Sequence, residues 1–183
     1  MRLLGIADLL SSLLVAAPAA AGSDIEDYAS YEPSSKCHPK ARAGTDYLAH
    51  WMVRKYGGGF GGTSRSCDRR ATSEHQNGRA FDWTLDATKR TDRQRAREFM
   101  RRIFQTDARG NPDAWARRMG VMYIIWNDTM YPAWRQFEPE PYLSSSCPKR
   151  KKCSKTLRHR DHLHLSLSSK GARGRTSWYD GRL

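Results

Sequence analysis

The sequence predicts a single domain that combines α-helices with β-strands, and three observations carry that expectation. Apolar residues recur at helical spacing over 45–56 (Leu48, Trp51, Met52, Tyr56) and again after Thr91 (Ala96, Phe99, Met100, Ile103, Phe104). Two segments, Ala80–Leu85 and His162–Ser168, alternate large apolar residues with small or polar ones, as half-buried strands do. Between them Val121–Trp126 is a continuous apolar run, short, β-rich and bounded by Gly120 and Asn127-Asp128, which reads as a central strand covered on both faces. The chain has 183 residues with 38% hydrophobic and 10% aromatic content, enough for one packed core and too short for a second independent one.

Taken in order, the chain opens on Arg2, an apolar run from Leu3 to Val15, and the small-residue patterns Ala17-Pro18-Ala19 and Ala19-Ala20-Ala21. This is the pattern of a secretory signal over residues 1–21, and its apolar run is shorter than the roughly 20 residues that span a bilayer, so no membrane-spanning segment is expected after cleavage. Residues 22–36 are rich in Ser, Asp, Glu and Pro and read as a flexible leader to a monomeric domain over 37–183. Four cysteines in an exported chain suggest two disulfides with three possible pairings, of which proximity favours Cys37 with Cys67 and Cys147 with Cys153. The absence of any Cys-x-x-Cys pair argues against a cysteine metal site.

Thr45 is the expected N-cap of the first helix and Gly57-Gly58-Gly59 its stop, followed by a plain loop to Gly62 that lacks the Lys-Ser or Lys-Thr of a phosphate-binding loop. Asn77-Gly78 is a turn signal of the kind that joins antiparallel strands. In the strand after it Phe81, Trp83 and Leu85 face the core, so Asp82 lies on the opposite face and the turn returns it towards His75. Thr91 with Gln94 forms a capping box, and Asn111-Pro112 opens a short helix closed by Gly120. Asn127-Asp128-Thr129 is a formal glycosylation sequon. Residues 130–160 show no strong periodicity, and the basic run Pro148–Lys152 reads as a solvated loop between two cysteines. In the last strand His162, His164, Ser166 and Ser168 share one face and Leu163, Leu165 and Leu167 the other, while Trp178-Tyr179 is expected to tuck back onto the domain.

The net charge of +13 arises from 32 Lys and Arg against 19 Asp and Glu. So basic a surface attracts polyanions, whether nucleic acid or an anionic wall or membrane face, although charge of this size also serves solubility alone. No nuclease motif occurs and the aromatics are not interleaved with the basic run, so a stable nucleic-acid partner is not expected.

His75, Asp82 and His164 together read as a metal site, two imidazoles and a carboxylate that leave a fourth position on zinc open to water or substrate. Taken singly, each has an ordinary structural reading, a core histidine or a turn-end acceptor. The joint pattern is stronger, because both halves project ligand-type side chains from strands whose other faces are apolar. Asp161 and His162 are the two candidates for a catalytic base, His162 on the same face as His164 and Asp161 ahead of the strand.

Ser73, His75, Gly78, Ala80 and Asp82 match the Ser-x-His-x-x-Gly-x-Ala-x-Asp motif of zinc D-Ala-D-Ala peptidases, and Asp161-His162-Leu163-His164 resembles the second motif of that superfamily. The superfamily also holds lysostaphin-type endopeptidases and the hedgehog signalling domain. Residues 72–83, 118–127 and 159–168 are similar to secreted actinobacterial proteins with such a peptidase-like domain, a likeness spanning roughly residues 37–168. The resemblance implies an α+β fold whose antiparallel sheet, flanked by helices, carries one zinc ion on His75, Asp82 and His164. It further implies Asp161 or His162 as base and Ser73 as a substrate contact. Peptidases of the first motif often place Glu three residues before the last ligand, where this chain has the shorter Asp161; other members use the first His of His-x-His. Arg79, with Arg69 and Arg70 nearby, is a candidate grip for a substrate carboxylate, or else part of a solvated basic patch.

The expected function is a secreted zinc peptidase hydrolysing an amide bond in cell-wall peptide, held to peptidoglycan or another anionic wall polymer by its basic surface. A zinc-binding but inactive wall-associated or signalling module is the alternative, and a basic secreted nuclease or nucleic-acid binder ranks third.

Overall fold

A computed structural model describes residues 25–68 and 73–183. The expected signal segment and the candidate grips Arg69 and Arg70 lie outside the described residues. The fold is α+β: a six-stranded, wholly antiparallel sheet in the order β1-β2-β6-β3-β4-β5, with helices against one face. The strands are β1 (Gly59–Phe60), β2 (Ala80–Thr84), β3 (Val121–Trp126), β4 (Thr129–Pro132), β5 (Glu140–Pro141) and β6 (His162–Leu167). The helices are α1 (Ala43–Tyr56), α2 (Arg90–Ile103), α3 (Ala114–Met119) and α4 (Ser169–Ala172).

Period-2 alternation sorts the sheet into two chemically distinct faces. Phe81 and Trp83 of β2, Ile124 and Trp126 of β3 and Leu163, Leu165 and Leu167 of β6 meet Leu48 and Met52 of α1, Phe99 and Ile103 of α2 and Met119 of α3 in one core. The three leucines of β6 are fully buried, each worth roughly 1.5–3 kcal/mol of burial. Trp83 also donates from Nε1 to the Gly57 carbonyl at 2.8 Å, so the residue that ends α1 is tied to the sheet's centre. The opposite face carries Asp82, Tyr123, Ile125, His162, His164 and Ser166. A bulge between Val121 and Tyr123 turns Met122 away from the main core into a smaller apolar cluster with Tyr123 and Ile125.

Several local expectations give way to tertiary contacts. The Gly-rich loop contains β1, an edge strand on β2, because backbone pairing there needs no side-chain pattern. The N-cap of α1 is Arg42, and Thr45 instead donates its hydroxyl to the Gly78 carbonyl at 2.8 Å. The capping box at Thr91 does not form: α2 begins at Arg90, and Asp92 accepts from the Asp86 amide at 3.0 Å. Asn77-Gly78 does not join two strands but closes a 3₁₀ turn over Glu74–Asn77, with Gly78 at φ +65°. Asn127 and Asp128 both take positive φ and form the two-residue turn between β3 and β4.

The segment expected to be a flexible leader is docked from Glu26 onward. Glu26 accepts from Ser177 (Oγ to Oε2, 2.8 Å), Tyr28 donates to Asp113 Oδ2 at 2.6 Å, and Glu32 receives Arg79 and Ser169. Its acidic and aromatic residues, which show no periodicity, are what fasten it. The disulfides Cys37–Cys67 and Cys147–Cys153 form as proximity suggests, and Trp178 and Tyr179 are buried as expected. Among the described residues no helix is long and apolar enough to cross a membrane.

Candidate metal centre

Register brings the site together. Asp82 on β2 sits directly opposite His164 on β6, and Thr84 opposite His162; directly paired side chains on one face lie about 5 Å apart at Cβ. His75 comes from the 3₁₀ turn just before β2, where Ser73 Oγ accepts from its amide at 3.3 Å and Gly78 reverses the chain. That turn is held from outside. The Gly78 carbonyl receives the Arg42 amide at 3.1 Å, and the His75 carbonyl receives the Arg65 amide at 3.1 Å. The Cys37–Cys67 disulfide ties the two supporting loops to each other.

The ligand-type atoms of His75, Asp82 and His164 all lie within 4.8 Å of one another. Asp82 Oδ1 is the hub, 3.0 Å from His75 Nε2 and 3.0 Å from His164 Nδ1, with His162 Nε2 at 3.6 Å. Donor atoms around a tetrahedral zinc with bonds near 2.0–2.1 Å lie about 3.3 Å apart, close to these separations. His75 Nε2 is buried and without a hydrogen-bond partner, since its approach to Asp82 is close but not aligned as a hydrogen bond. His164 Nε2 lies 2.8 Å from Ser166 Oγ; in the tautomer that donates there, Nδ1 turns a lone pair towards Asp82. A cation shared by the three groups satisfies both otherwise unfavourable contacts, so these residues fit a metal ion.

Electrostatics agree. Burial pulls the His75 imidazole below its ordinary value and keeps it neutral, the form that ligates metal. Burial alone would raise the Asp82 carboxyl, but the close imidazoles of His164 and His75 outweigh it and hold the group well below the usual carboxylate range.

The two candidate bases are not equivalent. His162 Nδ1 lies 2.7 Å from Asp161 Oδ1, and Thr156 donates to Asp161 Oδ2 at 2.5 Å. Asp161 therefore stands behind His162, whose Nε2 faces the cluster. Burial would raise the Asp161 carboxyl, yet the hydrogen bonds from Thr156 and His162 hold it lowered and ionised. Ser73 borders the cleft, a cavity of about 370 Å³. Arg79 does not. It is buried, donates to Leu167 O at 3.2 Å and to Glu32 O at 2.8 Å, and so clamps the leader rather than awaiting a substrate. Among the described residues Arg65, whose guanidinium lies 4.0 Å from Asp82 Oδ2, is the arginine that borders the cleft.

Besides Arg65, the cleft residues His159, Tyr123 and Glu74 escaped the sequence reading. His159 packs between His162 and Tyr142, with ring centroids at 4.7 and 4.9 Å. Its backbone sits at φ +48°, held by the Asn127 amide on its carbonyl at 2.7 Å. Burial, then the neighbouring His164 and His162, pull its imidazole down to about 3. Tyr123 stacks on His164 at 5.6 Å and donates to Glu74 Oε2 at 2.7 Å. The signals available were the density of histidine over 159–164 and an acidic residue beside the first ligand.

Among comparisons with known proteins, no curated protein and no solved structure matches. A family model, the VldE C-terminal domain, matches residues 33–146. That range includes His75 and Asp82 and stops short of Asp161, His162 and His164. It covers more than half of the chain, which thus belongs to the family described as VldE, C-terminal domain.

Proposed function

We propose that the protein is a secreted, single-zinc peptidase that hydrolyses an amide bond in cell-wall peptide, a reading that rests on the motif resemblance to the D-Ala-D-Ala peptidase, lysostaphin and hedgehog superfamily. The observation that carries it is the ordered chain Thr156–Asp161–His162, which ends with an imidazole nitrogen 3.6 Å from the carboxylate at the hub of a three-ligand cluster. A purely structural zinc site is closed by four ligands, whereas the cluster among the described residues supplies three and leaves a fourth position open to water or substrate. Zinc on His75, Asp82 and His164 would supply a Lewis acid and lower the barrier to deprotonating water.

His162 performs the proton work: Nε2 accepts a proton from the attacking water and returns it to the leaving nitrogen. Asp161 keeps the proton of the neutral ring on Nδ1, so that Nε2 presents its lone pair to the cleft, and then stabilises the imidazolium that forms. The two disulfides support export, since such bonds persist in oxidising compartments.

The test is mass spectrometry of purified peptidoglycan incubated with zinc-loaded protein. New peptide fragments should appear, and His162→Ala should lower their rate by about 10²–10⁴-fold while retaining metal. Metal retained with no fragments from the unaltered protein would refute the peptidase reading and point to a zinc-binding wall or signalling module.

A further inference from the structure

The cleft does not end at the histidines. A second cavity of about 460 Å³ adjoins it, and the two share Glu74, Tyr123, Ile125, Tyr142 and Ser145 as walls, forming one continuous groove. The far part is aromatic. Tyr31 and Trp134 meet edge to face at 5.5 Å and remain 55% and 39% exposed, unusually open for rings of this size. Glu74 stands at the seam with only 7% of its surface exposed. Its Oε2 accepts from Tyr123, and among the described residues no other hydrogen bond or ion pair reaches the carboxylate.

A carboxylate has about four acceptor positions, and Tyr123 fills one of those on Glu74, leaving the others to a partner in the groove. The missing partner is a cation that also tolerates aromatic walls. An ammonium group meets both demands, by charge-assisted hydrogen bonds to the carboxylate and by attraction to ring faces. We propose that this cavity is a subsite for a primary alkylammonium group, with Glu74 as its counter-ion and Tyr31 and Trp134 as its walls. The inference builds on the proposed hydrolytic site and names its substrate class: a peptide bearing a free amine, either its α-amino terminus or a side-chain ammonium.

Glu74 also positions Tyr123 against His164, so the test must remove charge while keeping that contact. In Glu74→Gln the amide oxygen still accepts from Tyr123. NMR titration of the isotope-labelled full domain with n-butylammonium and with n-butanol reads the subsite without any turnover. The unaltered protein should bind the ammonium about ten-fold more tightly than the alcohol, with shifts at Glu74, Tyr123 and Trp134. Glu74→Gln should reduce the preference to within about two-fold while leaving metal content and thermal midpoint unchanged. Equal affinity for the two probes, or a preference that survives in Glu74→Gln, would overturn the proposal.

The stem peptide L-Ala-γ-D-Glu-L-Lys-D-Ala-D-Ala, acetylated on its α- or its ε-amine, then distinguishes the sources. The acetylation that weakens binding in the unaltered protein, but not in Glu74→Gln, identifies the recognised amine; if neither does, the assignment to substrate is wrong. Should butylammonium discriminate while no stem peptide is cut, the subsite stands and the peptidase reading falls.

Discussion

Asp82 draws three imidazoles to one oxygen, and the consequences are local. Its charge is held by His75 and His164, while His162 stands slightly further off with its own carboxylate behind it. Replacing Asp161 by Asn leaves a group that can still contact the ring but removes the charge that stabilises its protonated form. Under the proposed function, turnover on wall peptide should fall by about 10²-fold or more with metal content unchanged. An Asp161→Asn variant with full activity would remove Asp161 from its positioning role. At this scale the sequence was informative where alternation applies: the facing of Asp82, His162 and His164 follows from the apolar residues between them. The order of Asp161 and His162 does not, because Asp161 precedes β6 and its direction is set by Thr156. Arg79 misled for a similar reason, since nothing near it in sequence signals that Glu32 receives it.

The 3₁₀ turn that presents His75 and the docked leader show how elements depend on distant partners. Gly78 is left-handed, and a Cβ there would collide with the Lys40 carbonyl. Gly78→Ala should therefore cost at least about 1–2 kcal/mol, read from the denaturant midpoint, and should weaken metal binding because His75 shifts with the turn. The hairpin-like signal in Asn77-Gly78 was real as a turn and wrong as to what it joins, since the loop around Lys40 and Arg42 decides the turn's partners.

The leader offers a pH test. Burial first, and then the hydrogen bond to Asp113, push the Tyr28 hydroxyl up to about 12 from 10.0. A raised folded-state value means the unfolded chain releases this proton first, so the stabilisation is complete below pH 10 and is lost as pH rises towards 12. The stability difference between the unaltered protein and Tyr28→Phe should shrink across that window. A difference independent of pH would place Tyr28 in water.

For the whole molecule, one antiparallel sheet separates two tasks. One face is closed by helices over Phe81, Trp83 and the leucines of β6, and the other holds polar and ionisable groups in a groove. That division was legible because strand periodicity encodes faces, and β2, β3 and β6 fall where alternation or a continuous apolar run marks them. The short strands β1, β4 and β5 were not, since pieces of two to four residues carry no readable period. Near His75 the Cys37–Cys67 disulfide replaces apolar packing as the restraint on the supporting loops, in a region with little core of its own. A net charge of +13 surrounds a groove that nevertheless holds buried Glu74 and half-buried Asp82, so the long-range field of the molecule and the local charge of the groove are opposite in sign.

The central claim is that His75, Asp82 and His164 hold one metal ion. Its most direct test is native mass spectrometry with elemental analysis of the purified protein beside His75→Ala and His164→Ala, each checked for folding by circular dichroism. One zinc per chain, lost in both folded variants, is the predicted result. Unchanged metal content in either folded variant, or no metal bound by the unaltered protein when zinc is supplied, would contradict it.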